Sequence, residues 1–555
     1  MNEHIEKEME RNLDEEIKAY EEQLREKYGL AKKEVKHFKR PQELPFTKSQ
    51  RPHTTIWISG LTMAHEHMIR GAWAGQGYKV ESLDVPDNEA LNFGKEYGNR
   101  GQCNPTYYTV GNLVKQLVKM RQSGYTTEEL ENNFVFFTAG ACGPCRFGMY
   151  EAEYRKALRD AGFPNFRVLL FQQGEGLSQG SAEEAGLAMT PGFFIGMLKA
   201  MMVGDMINEL GYKIRPYEVV KGQTDQVIEK SKAYLYDTFA KKTSVIKGLR
   251  QVKKWFEEIE VDYTRVKPKV KITGEFFAMT TEGDGNYHMA RWLEEEGAEV
   301  YVEPIGTWIE YLIWTREQKA KDRNGLGGRI LPILGMDEQA AKMVGVLKLA
   351  QKLFRTFYDV YRAALGFKIA TLPDQDVMAR YGHMYYDTRL GGGEGHMEVG
   401  KNIMAVKHKK AHMVISLKPF GCMPSTQSDG VQSKVVSDYP DAIFIPIETS
   451  GDGEVNVKSR VQMKLYEAKM KARAEYQRVL DEQGLTVEEV REFAAQRREL
   501  RNSMRVLPHE VISTAGNFLF DVLKSMPRRK RAPKLSMPIG KSDGQSRNEH
   551  ASIGD

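Results

Sequence analysis

Residues 134–158 read "FVFFTAGACGPCRFGMYEAEYRKAL". The first four residues are a continuous apolar run rich in aromatics, the pattern of a strand buried on both faces. Small residues follow, then Cys142-Gly-Pro-Cys145, and from Cys145 onward charged and apolar residues alternate with a helical beat. A buried strand therefore turns directly into a helix, with two thiols at the corner.

The same alternation extends in both directions. Upstream, "TTIWISGL" reads as a buried strand, "MAHEHMIRGAWAGQGY" as a helix ending at Gly77 and "KVESLDV" as a second strand. "NPTYYTVGNLVKQLVKMRQSGY" reads as a helix beginning just after Cys103, and downstream "FRVLLFQQ" reads as a fourth strand. Strands alternating with helices predict an α/β fold with a parallel, doubly wound sheet. Residues 54–185 form this first Rossmann-like lobe, with Cys103 and the Cys-x-x-Cys, and 190–262 form a helical segment. Residues 268–450 form a second Rossmann-like lobe with a helical insertion and Cys422, and 455–505 form C-terminal helices. Residues 1–45 are a charged N-terminal helix, and 527–555, beginning "PRRKRAPK", a disordered basic tail. A short helix is expected between Cys422 and the strand "DAIFIPIE". The two α/β halves show no clear sequence repeat.

At 555 residues the chain exceeds a single core, which stops growing near ~250–300 residues. Its net charge of +5 is small, and much of the excess lies in the tail, so the body carries no footprint for nucleic acid. No run approaches the ~18 apolar residues of a membrane span, and the N-terminus is not a signal peptide, so a cytoplasmic protein is expected. In that reducing compartment the four cysteines point to metal ligation or thiol redox chemistry over structural disulfides.

All four share one setting. Cys103 precedes a helix, Cys142 and Cys145 follow the strand "FVFFTAG", and Cys422 follows "MVISLKPF". In open α/β sheets ligands bind outside the carboxyl ends of strands. Helix N-termini there favour thiolate over thiol, the form that ligates metal. Four chemistries use such cysteines: a thioredoxin-like dithiol, a structural zinc site, inert buried thiols, and an iron–sulfur cluster held from different lobes. A dithiol leaves Cys103 and Cys422 without a purpose, and zinc sites usually draw on two short paired motifs. The shared setting favours the cluster.

Other residues have chemistry too. The loop "TRLGGGEGHMEVGKN" could cradle a phosphate, as of CoA, or simply be a flexible turn capping the helix from about His396. Glu394 and His396 in it are acid/base candidates if the loop faces the cleft. Glu448, at a strand end, could contact substrate or cap the next helix. Ser425 and Ser428 suit helix capping or hydrogen bonding to a cluster.

"FTAGACGPCRFGMYEAEYRKALRDAGF" and "LKPFGCMPSTQSDGVQSKVVSDYPDAIFIPIETSGDGEVNVKSRVQM" resemble the 2-hydroxyacyl-CoA dehydratase superfamily, in particular the dehydratase-like part of the large CoA-substrate-specific activase proteins. "VKITGEFFAMTTEGDGNYHMARWLEEEGAEV" resembles its Rossmann-like middle lobe. The similarity covers residues 54 to about 470. It implies a 4Fe-4S cluster in the cleft between two lobes, with Cys103, Cys142, Cys145 and Cys422 as metal ligands. It further implies electron transfer in anaerobic metabolism: low-potential electrons arrive from an ATP-hydrolysing activator with its own 4Fe-4S cluster. They serve a reduction or the radical dehydration of a substrate such as an acyl-CoA, a lyase or reductase activity. A dimer with itself or a related subunit is compatible with it.

The chain departs from the family in three ways. It lacks the activator's Asp-x-Gly-Ser/Thr-Thr turn, so the activator is a separate protein. Its four cysteines suit one cubane and not the pair of cubanes found in a sister branch. Four ligands would leave no iron open for substrate, which favours a non-catalytic electron-relay or partner subunit; three would leave one open. A thiol–disulfide oxidoreductase is the remaining alternative.

Overall fold

The computed structural model describes residues 17, 19–29, 45–140, 145–172, 185–324, 330–331 and 336–526. Residues 1–44 and 45–555 are separate compact units. In the first, the described residues are helical through Lys27, with Ile17, Tyr20 and Tyr28 exposed.

The larger unit holds two four-stranded, all-parallel sheets among many helices. The first contains β1 (Thr55–Ile58), β2 (Lys79–Ser82), β3 (Phe134–Gly140) and β4 (Arg167–Gln172) in the order β2-β1-β3-β4. The second contains β5 (Lys269–Gly274) and β6 (Glu299–Val302). After a two-stranded hairpin of β7 (Ile330–Leu331) and β8 (Met336–Asp337) it adds β9 (Met413–Pro419) and β10 (Ile443–Thr449), in the order β10-β9-β5-β6. The two sheets have one topology. In each, the second strand lies to one side of the first, and the third and fourth lie to the other. The direction in which strands are added therefore reverses between β1 and β3, and between β5 and β9. The two halves are topological repeats that the sequence does not show.

The α/β expectation is met at this level, and the apolar runs explain why. Val135 and Phe136 in β3, and Val270 and Ile272 in β5, are buried. Helices pack on the sheets, as parallel strands require. The Pro191–Ile214 helix, apolar nearly all round, runs through the main core. Its one deeply buried aspartate, Asp205, accepts hydrogen bonds from the Ile305 and Gly306 N–H groups at 2.7 and 2.9 Å, and Asp205 Oδ1 lies 3.1 Å from His65 Nε2. The carboxylate thereby caps the Ile305–Asp322 helix and fixes it against the core.

Three local expectations need correction. The helix after Cys422 is not short: Met423–Asp438 runs for 16 residues, because Pro424 falls in its first turn, where proline costs no hydrogen bond, and the single Gly430 does not end it. The helix after the Cys-x-x-Cys begins with a 3-10 turn, Arg146–Met149, before Tyr150–Asp160. The C-terminal helices do not end near 505; Thr514–Ser525 is a further helix, capped by Ser513 and buried through Phe518 and Leu519. Residues 527–555 lie outside the described residues, as does Cys142.

Candidate functional site

Both topological switch points carry cysteine. β3 leads toward Cys145, and β9 leads within three residues to Cys422. Each described cysteine is the residue that begins a helical turn. Cys103 caps Asn104–Gln122, Cys145 the Arg146–Met149 turn and Cys422 Met423–Asp438, with Pro105 and Pro424 in the first turn of the two long helices. Proline there loses no hydrogen bond and fixes the entry angle.

The loops of Cys103 and Cys422 touch although 319 positions separate them. Asn104 N donates to Phe420 O at 3.1 Å, and Asn104 Nδ2 to Thr449 O at 2.9 Å. Between them, Gly421 has φ +79°, and a Cβ there would lie 3.3 Å from Cys103 Cα and 3.0 Å from Arg146 Nη1. Glycine is required both by the left-handed conformation and by the close approach. Arg146, next to Cys145, donates in turn to Gly101 O at 2.7 Å. The three cysteine loops are therefore stitched together through the Cys103 loop.

Each sulfur has its own partners. Cys103 Sγ lies 3.3 Å from both Thr106 Oγ1 and Tyr150 Oη. Phe147 N–H donates to Cys145 Sγ at 3.5 Å. Cys422 Sγ donates to Ser425 Oγ at 3.3 Å; Ser425 and Ser428 hydroxyls donate to Glu398 at 2.8 and 2.5 Å. The two serines thus connect Cys422 to a buried carboxyl.

Acidic groups dominate the surroundings. Burial pushes the Cys145 thiol up to about 12, opposed by the Phe147 N–H and reinforced by Glu394, Glu275 and Cys103. Burial also raises Cys422, with Glu275 and Glu394 adding to it against Ser425. Glu275 caps the Phe276–Thr280 helix, and burial holds its carboxyl near 7 against the Ala278 and Phe277 N–H groups. Glu394 stands well above the usual carboxylate range, through burial and then through Glu275 and Glu398. Lys401, buried nearby, is depressed by the same desolvation. Thiolates in this pocket would face carboxyls across a poorly solvated space, so the anionic sulfurs need a compensating cation.

The other sequence candidates diverge. Glu394 Oε1 accepts from Phe276 N at 2.8 Å, and its Oε2 has no partner among the described residues. The glycine-rich loop is packed, not free: a Cβ on Gly393 would meet Pro424 at 2.8 Å. His396 begins the Met397–Lys407 helix without a side-chain cap bond. Its ring is sealed between Tyr311 and Trp314, both nitrogens lack partners among the described residues, and burial lowers it to about 4. Glu448 is exposed on β10 opposite Lys418, and the next helix is capped by Gly453 instead.

Sequence reasoning missed Glu275, Glu398, Lys401 and Tyr150. One signal was present: Glu394 and Glu398 are four residues apart at a helix start.

The donor set fits an iron–sulfur cluster in kind, since three buried or half-buried thiols stand at helix N-termini on loops that adjoin one another across the two lobes, with Lys401 and Lys418 as the cations of the surroundings. In number the described set is three sulfurs. Among the described residues no three His, Cys, Asp or Glu side chains are gathered in metal-holding geometry. No helix there is long and apolar enough to cross a membrane. A scan against protein-family models and a search of curated proteins found no match to the chain.

Proposed function

We propose that the chain is an iron–sulfur protein of the 2-hydroxyacyl-CoA dehydratase type. It accepts low-potential electrons from a separate ATP-dependent activator. The observation that carries this reading is the junction of the Cys103 and Cys422 loops at the carboxyl ends of two parallel sheets, with Cys145 tied in through Arg146. Cys103, Cys145 and Cys422 would hold the group, with Cys142 as the fourth ligand. A 4Fe-4S cluster supplies one-electron storage at low potential.

The chain's own residues set the conditions. The Phe147 N–H and the hydroxyls of Thr106, Tyr150 and Ser425 are hydrogen-bonding groups that steady the sulfurs. Burial raises Glu275, Glu394 and Glu398 toward their protonated form, so they would hold protons beside the sulfurs to accompany added electrons. Exposed Phe420 and Met423 flank Cys422 and offer an apolar landing surface for an electron donor.

The electron-relay reading draws support from His396: sealed behind two aromatic rings, it is not placed to exchange protons with a substrate. Anaerobic purification with iron and sulfide analysis tests the whole proposal. About four irons per chain, with a cubane electron paramagnetic resonance signal after dithionite reduction, is expected. Cys422→Ala should lose most of the iron. A colourless, zinc-containing protein would overturn the reading.

A further inference from the structure

The Glu338–Ala364 helix is apolar around more than half its circumference, yet the protein body covers only part of that arc. Val344, Phe354, Tyr358 and Tyr361 are buried against the body. Beside them runs a second stripe: Met343, Val346, Ala350, Leu353, Phe357 and Val360. The five large side chains of this stripe are 38–64% exposed, and Ala350 is exposed too. The spacings alternate three and four, which is the seam of a two-stranded coiled coil. Leu349, also exposed, widens the seam.

We propose that a second copy of this chain covers the stripe, with the two helices antiparallel about a two-fold axis between Ala350 and Leu353. The stripe is complementary to its own reverse. Antiparallel alignment sets Met343 opposite Val360, Val346 opposite Phe357, and Ala350 opposite Leu353. Each layer then joins a larger side chain to a smaller one. A parallel alignment would stack Phe357 on itself and leave a gap at Ala350.

Charge permits the contact. None of the six seam positions is charged; Lys342, which borders the seam, pairs with Glu338 at 2.5 Å, and Arg355 and Lys348 on the far side of the helix are engaged within their own chain. Arg355 pairs with Glu310 at 2.5 Å, and Lys348 lies 4.0 Å from Glu317. Pairing therefore desolvates little charge. The stripe leaves roughly 600 Å² of apolar surface open, at the upper end for the largest patch of a monomer. Covering it on two copies removes about 1,200 Å² from water, the lower bound for a specific stable interface. A two-fold contact uses the same patch twice and closes on itself, so the assembly stops at two.

The inference does not depend on the iron–sulfur reading. Sedimentation of the full chain between 1 and 100 µM should show a reversible dimer with a micromolar dissociation constant. Leu353→Glu combined with Phe357→Glu should be monomeric throughout that range with an unchanged melting temperature, since both side chains are half exposed in one copy. Met343→Cys and Val360→Cys proteins, oxidised together, should give an interchain disulfide that neither gives alone nor the wild type gives. A monomer at 100 µM overturns the proposal, as does a dimer that survives the double substitution. Cross-linking of each variant with itself would overturn the antiparallel arrangement.

Discussion

Glu66 shows how one buried carboxyl sets a pH response. Its Oε1 accepts from Leu61 N at 3.1 Å, and its Oε2 has no partner among the described residues. Burial raises it to about 8, against the Leu61 N–H and Ser82 and with a contribution from Glu282. The folded chain therefore keeps a proton that the unfolded chain releases near the ordinary value of 4.5. Between those two pH values the folded state binds more protons, so stability falls as pH rises through this window. Glu66→Gln keeps the acceptor and removes the titration. Melting followed from pH 5 to 8 should show a flatter profile and a gain of about 2 kcal/mol at pH 8; an identical slope would refute the assignment. At this scale the sequence supplied the cysteines, whose type and setting announce chemistry. It did not supply Glu275 or Glu398, because an acid looks alike in a sequence whether it is solvated or buried beside a thiol.

At the scale of elements, the helix that Cys103 caps is held by backbone contact. A Cβ on Gly111 would sit 1.8 Å from Ala90 O, and one on Gly94 would sit 1.9 Å from Tyr107 O. The helices Asn88–Tyr97 and Asn104–Gln122 thus meet along glycine, with no side chain able to yield. Gly111→Ala should cost about 3 kcal/mol in urea unfolding, toward the upper end for overpacking. Gly345→Ala makes the contrast. Nothing lies within 4 Å of its Cβ, so the same change in the exposed helix should stabilise by about 1 kcal/mol, the propensity difference. Equal effects at both sites would contradict the close packing. Strand and helix identities were legible here because buried parallel strands are nearly continuous apolar runs. The Thr514–Ser525 helix was not, since its short apolar face follows an irregular stretch that gives no periodic lead.

Across the whole molecule, the two sheets repeat one topology and meet where their switch points carry cysteine. Asn104 is the latch, bonding Phe420 O just after β9 and Thr449 O at the carboxyl end of β10. Asn104→Ala leaves Thr449 O without that donor and should cost about 1–2 kcal/mol, together with faster proteolysis at the lobe junction. Unchanged stability and protease resistance would show that the lobes are held elsewhere. The sequence by itself determined the α/β alternation, the strand-to-helix corners and the placing of thiols at them, because these follow from local hydrophobic period and turn chemistry. Only the tertiary structure decided that the halves are topological repeats, that the Cys103 loop meets the Cys422 loop, and which acids are buried beside them. Those are relations between residues hundreds of positions apart, fixed by how sheets stack and which surfaces exclude water, and no local pattern encodes them.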